Sequence, residues 1–108
     1  MFSLEGKTAL VTGASGGIGS SIAYALARQG ARLALSGSNA AKLRAFREQL
    51  NDEFGHDHVE ITCDLSNTKQ VEELIPATVD TLGRMDILVN NAGITRDNLA
   101  MRMKDEEW

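Results

Sequence analysis

The chain is poor in the residues that staple or interrupt a fold. Cysteine occurs once in 108 residues, as Cys63, which excludes an internal disulfide and suits a reducing compartment. A lone thiol near a strand end reads as a small buried hydrophobe rather than a nucleophile. Proline also occurs once, at Pro76, and there is no Gly-Ser repeat, so the composition is that of an ordered chain. Lys and Arg number 11 against 15 Asp and Glu, a net charge of −4. The two signs are interspersed, and without a basic stripe a nucleic-acid partner is not expected. No apolar run approaches membrane-spanning length, and Met1–Lys7 has no apolar signal core. The expectation is a soluble, cytoplasmic protein with no membrane partner. A hydrophobic fraction of 43% over this length suffices for one domain, or part of one, with a modest core.

What is present alternates strand and helix. Residues 7–12 read as a short buried strand, and a helix follows from about Gly17 to Gln29, with Gly30 suited to a left-handed stop. Residues 31–36 form the second strand. Ser38 or Asn39 can cap a helix running to Phe54, with Leu43, Phe46, Leu50 and Phe54 as its apolar stripe and Gly55 as its end. A third strand covers 58–63. Asn67 with Gln70 resembles a capping box for a helix to about Leu82, where Val71, Leu74, Ile75, Val79 and Leu82 hold the period. Pro76 falls inside that helix and should kink it. Gly83 ends it, residues 85–90 are the fourth strand, and a last helix begins near Lys104. Short, nearly continuous apolar strands between helices imply an α/β protein: a doubly wound, Rossmann-like parallel sheet of strand order 3-2-1-4.

The segment Thr12-Gly13-Ala14-Ser15-Gly16-Gly17-Ile18-Gly19 sits between the first strand and first helix. Glycines there permit tight turns and let backbone N–H groups approach an anion, which the positive end of the helix favours. The spacing is G-x-x-x-G-x-G, and no Gly-Lys-Ser or Gly-Lys-Thr follows, so it is not a Walker A loop. In the 3-2-1-4 order the boundary between strands 1 and 4 is the topological switch point. The glycine segment and Asn90-Asn91-Ala92-Gly93 both leave carboxyl ends of strands beside it, so two distant motifs converge on one crevice.

These residues resemble the short-chain dehydrogenase/reductase family. Thr12–Gly19 matches its T-G-x-x-x-G-I-G element, Asp64-Leu65 its acidic-apolar pair after the third strand, and Asn90–Gly93 its N-N-A-G. Within the family, residues 91–99 and 101–108 resemble bacterial 3-oxoacyl-acyl-carrier-protein reductases. The resemblance implies a cofactor site built from Gly13, Ala14, Ser15, Gly16, Gly17, Ile18 and Gly19 around a pyrophosphate. Asp64 and the Leu65 backbone would meet the adenine, and Asn91, Ala92 and Gly93 the nicotinamide side. Asp64 can also serve as a turn residue, and Asn90 can equally tie neighbouring strands together. The turn Gly37-Ser38-Asn39 lacks the carboxylate that accepts from a ribose 2′-hydroxyl, and Ser38 can donate to a 2′-phosphate. The expected cofactor is therefore NADPH (NADP+), although relatives often carry Arg where this chain has Gly16.

The family's chemistry is hydride transfer to a ketone with a Tyr as proton donor, its pKa lowered by a nearby Lys. That Tyr-x-x-x-Lys lies downstream of N-N-A-G, beyond residue 108, so no catalytic residue is assigned. Tyr24 and Arg28 imitate the spacing, but Arg does not readily shed its proton, and a packing role is expected. Residues 1–108 are thus expected to be the N-terminal part of one dinucleotide-binding domain, inactive alone. The complete protein would be an NADPH-dependent 3-oxoacyl-acyl-carrier-protein reductase of fatty acid synthesis, a homo-oligomer (typically a tetramer) served by acyl-carrier protein. Arg96, Arg102 and Lys104 could meet that carrier or form a solvated face. Two other readings are a related oxidoreductase acting on a sugar, steroid or small alcohol, and a dinucleotide-binding module without catalysis. His56 and His58, near Asp52, Glu53 and Asp57, are read as a solvated loop, and no metal is expected.

Overall fold

The computed structural model describes residues 3–64 and 66–91. Four parallel strands form one sheet: β1 (Thr8–Thr12), β2 (Arg32–Gly37), β3 (Val59–Thr62) and β4 (Ile87–Val89), in the order β3-β2-β1-β4. Three helices connect them in sequence: α1 (Gly17–Arg28), α2 (Ala40–Phe54) and α3 (Thr68–Leu82). The expected order is realised. Against expectation β1 is trimmed by one residue, β3 by two and β4 by three, while β2 shifts forward by one, and the helix expected near Lys104 lies outside the described residues.

The sheet has a core on each face because successive strand residues point to opposite sides. Ala9, Val11, Leu33 and Leu35 pack with Ala23 and Ala27 of α1 and Leu43 and Leu50 of α2. Leu10 and Ala34 face the other way, onto Cys63 and the Val71, Leu74, Ile75 and Leu82 stripe of α3. Leu10, Leu33, Leu35, Leu43 and Leu50 are fully buried, each a gain of about 1.5–3 kcal/mol over exposure. Phe46 and Phe54 cover the edge of the first core rather than filling it.

Helix ends follow local chemistry. Asn39, not Ser38, caps α2: its Oδ1 accepts from Lys42 N at 3.0 Å. Asn67 caps α3 by accepting from Gln70 N at 3.2 Å. The reciprocal half of the capping box is diverted, because Gln70 Oε1 accepts from Asp64 N at 2.7 Å instead. Helix α1 keeps right-handed geometry through Gln29, and the left-handed residue is Gly30, with φ of 103°. Helix α3 continues through Pro76. Proline removes the N–H that would meet the Glu72 carbonyl, but Glu72 is exposed, so water can meet it there.

Candidate dinucleotide site

Parallel register brings every strand's carboxyl end to one edge of the sheet. There stand the glycine turn after β1, Gly37 as the last residue of β2 with Ser38 and Asn39 beyond it, Asp64 after β3, and Asn90 and Asn91 after β4. The turn is fastened to its neighbours by one backbone bond and one side-chain bond. Ala14 N donates to Ser36 O at 3.0 Å, and Gly16 N to Gly13 O at 3.2 Å. Asn91 Nδ2 donates to the same Gly13 carbonyl at 3.4 Å, linking the loops after β1 and β4. Beneath them, Thr12 Oγ1 donates to Val89 O at 3.2 Å.

The four glycines have separate reasons. Gly13 lies in the left-handed region, with φ of 65°, where other residues are strained. A Cβ on Gly19 would lie 2.0 Å from Gly13 O and 2.9 Å from Asn91 Nδ2, so α1 approaches the turn only without a side chain there. Gly17 has open space around it, and Gly16 meets only Gly13 O, at 3.6 Å. That space lies before the first turn of α1. Gly16, the N-cap, provides no side-chain cap, and the first helical N–H groups lack intrahelical acceptors. A helix start of this kind, with uncapped N–H groups and no side chain in the way, suits an anion.

The remaining expected residues fall around the cradle. Ser15 Oγ would stand 3.3 Å from a Cβ on Gly37, so Ser15 and the Gly37 turn flank one spot. Ser38 is exposed beside it. Ile18 is the large hydrophobic residue left 71% exposed among the described residues, at the mouth of the turn. Asp64 Oδ1 accepts from Ser66 Oγ at 2.6 Å and Ser66 N at 3.0 Å. The Ser66 hydroxyl first, then its amide, hold this carboxyl below the usual range. The turn role is real, and Oδ2 has no partner among the described residues. Leu65, Ala92 and Gly93 lie outside the described residues.

Tyr24 donates to Glu53 Oε2 and packs edge-on against Phe54, with centroids 5.2 Å apart. Its bond to Glu53, then burial, raises its pKa, opposite to the shift a proton donor near neutrality needs. It is a packing residue. His58, however, is not part of a solvated loop. It is 2% exposed, because its side chain turns inward beside the start of β2. The alternation of His56, Asp57 and His58 with charged neighbours gave no signal of that inward turn.

The sequence profile of the short-chain dehydrogenase family matches residues 7–108. The chain belongs to this family. It is 47% identical over 105 residues to the 3-oxoacyl-[acyl-carrier-protein] reductase FabG of Vibrio cholerae, covering 97% of this chain and 41% of that protein. Among solved structures, L-sorbose reductase from Gluconobacter frateurii, complexed with NADPH and L-sorbose, superposes with a TM-score of 0.80 at 34% identity. That match covers 85% of this chain and 35% of the reductase. A family member from Burkholderia phymatum in complex with NAD gives 0.77 at 33% identity, over 86% of this chain and 33% of that one. The chain therefore spans well under half the length of these relatives. The chain is thus a segment of a short-chain dehydrogenase, a family of oxidoreductases that bind a nicotinamide dinucleotide.

Proposed function

We propose that the protein carrying these residues reduces 3-oxoacyl-acyl-carrier-protein with NADPH. The carrying observation is the linked pair of loops, Asn91 Nδ2 to Gly13 O, in a chain 47% identical to a FabG reductase over nearly its whole length. Residues 1–108 then form the N-terminal part of one dinucleotide-binding domain, with the proton-donating Tyr and Lys downstream. When bound, the dinucleotide supplies the hydride. This segment's residues bind and orient it: Gly13–Gly19 the pyrophosphate, Asp64 and Leu65 the adenine, and Asn91, Ala92 and Gly93 the nicotinamide side. NADPH is favoured because Gly37-Ser38-Asn39 offers a 2′-phosphate a hydroxyl and no carboxylate. Acyl-carrier protein as substrate bearer, a homotetrameric assembly and a cytoplasmic location belong to the same reading.

Titration of the full protein should give tighter binding of NADPH than NADH by about tenfold, the effect of about 1.4 kcal/mol; the reverse order would overturn the cofactor choice. Turnover of a 3-oxoacyl thioester is expected from the full protein and not from residues 1–108 alone. Turnover by the segment would refute the division of labour. The similarity to L-sorbose reductase favours a second reading, a sugar ketone as substrate, which a parallel assay with ketoses separates. Cofactor binding without turnover of any ketone would leave the non-catalytic module.

A further inference from the structure

The end of the sheet opposite the cradle holds a buried histidine in an unusual hydrogen-bonding position. Along β2, Leu33 and Gly37 turn their backbone groups toward β3: Cys63 N donates to Gly37 O at 2.9 Å. The β2–β3 pairing begins only at Ala34 and Val59, so Leu33 N–H points past the start of β3. His58 Nδ1 accepts from it at 3.0 Å. A side chain thus takes the place of the next strand carbonyl. The His58 backbone is clamped by Asn51 of α2, whose Oδ1 accepts from His58 N at 2.6 Å and whose Nδ2 donates to His58 O at 3.2 Å.

Because Nδ1 accepts, the ring proton sits on Nε2. His58 Nε2 is buried without a hydrogen-bond partner among the described residues. A second proton cannot be added without loss. It would put an N–H at Nδ1 against the Leu33 N–H, and leave two buried donors and a positive charge uncompensated. Its surroundings do not favour that charge. From β2 comes Arg32, from the corner before β3 come His56 and the opposing Asp57, and α2 presents the neutral Asn51. The nearby Glu5 is engaged with His56, Oε1 to Nε2 at 3.6 Å.

We propose that His58 is an acid-sensitive latch, whose neutral imidazole closes the start of β2 onto the α2–β3 corner and whose protonation releases it. Burial, then His56 and Arg32, lower its pKa to about 4 against the opposing pull of Asp57. The latch holds at neutral pH and weakens as pH falls through 6.5 toward 4, since the released state binds the proton more readily. The same strand ends in Ser36 and Gly37, so acid loosens the strand whose Ser36 carbonyl accepts from Ala14 of the glycine turn.

Nitrogen-15 NMR of the full protein tests this. At pH 7.5 the His58 ring should be the Nε2–H tautomer. Exchange protection of the Leu33 amide, corrected for intrinsic rate, should fall about tenfold per pH unit between pH 6.5 and 4. In H58Q, where a non-titrating carbonyl can accept from Leu33, that pH dependence should vanish, and H56Q should retain it. An Nδ1–H tautomer, or Leu33 protection independent of pH in the wild type, overturns the proposal. So does an equal pH slope in H58Q. If H58Q does not fold, the wild-type tautomer and slope still decide.

Discussion

At Gly19 the demand is steric, and at Gly37 it is chemical. A Cβ at Gly19 meets the Gly13 carbonyl carbon at 2.7 Å as well as its oxygen, and backbone cannot swing aside as a flexible side chain can. Gly19→Ala should therefore cost about 2–4 kcal/mol by urea denaturation and weaken dinucleotide binding at least tenfold, with unchanged binding counting against the cradle. Gly37→Asp addresses the other glycine. Its Cβ would approach Ser15 Oγ at 3.3 Å, which a small shift of that hydroxyl accommodates, while the carboxylate would repel a 2′-phosphate. The NADPH-to-NADH preference should fall about tenfold or more, read from the ratio of dissociation constants. The sequence made the glycine turn legible because its spacing and its place between strand and helix are both local signals. It did not reveal that Asn91 anchors Gly13, because a bond across 78 positions leaves no trace in periodicity.

Among the elements, the α2–β3 corner depends most on single side chains. Asn51 alone satisfies both backbone groups of His58. Asn51→Ala leaves two part-buried polar groups without protein partners and should destabilise the fold by about 2 kcal/mol, measured as a lowered urea midpoint at constant slope. Helix boundaries were well marked in the sequence: Asn39, Asn67, Gly55 and Gly83 all act as caps. What sequence could not decide was competition among neighbours. Asn39 rather than Ser38 caps α2, and Gln70 serves Asp64 rather than its own helix, because those outcomes depend on backbone angles. Strand ends were read long for a related reason: pairing stops where register stops, and Val89 is the last residue of β4 matched to β1.

The whole molecule should be acid-labile in two stages. The first is His58, whose contribution is complete above pH 6.5 and is lost as pH falls toward its folded value of about 4. The second is Asp86, which holds the start of β1: its Oδ2 accepts from Thr8 N at 2.9 Å, and Arg84 grips the carboxylate. Arg84 first, then the Thr8 amide, depress its pKa to about 2. That contribution is present above the unfolded value near 3.8 and disappears as pH falls through 2. The urea midpoint should be level above pH 7, decline between 6.5 and 4, and decline again below 4. Equal midpoints at pH 7.5 and 5 would contradict the first stage. Strand order was legible because right-handed crossovers leave few arrangements for alternating elements. The burial of His58 was not, since a histidine among charged residues reads as surface whichever way its ring turns.

The bond from Ala14 N to Ser36 O carries one more consequence. It joins main chain to main chain, so it persists whichever side chains occupy the two positions. On the proposed reading, inherited substitutions can therefore rewrite residues 37–39 and retune which dinucleotide is preferred, while the glycine turn stays in place. Within one lineage of such proteins, cofactor preference should drift more freely than the ability to hold a cofactor.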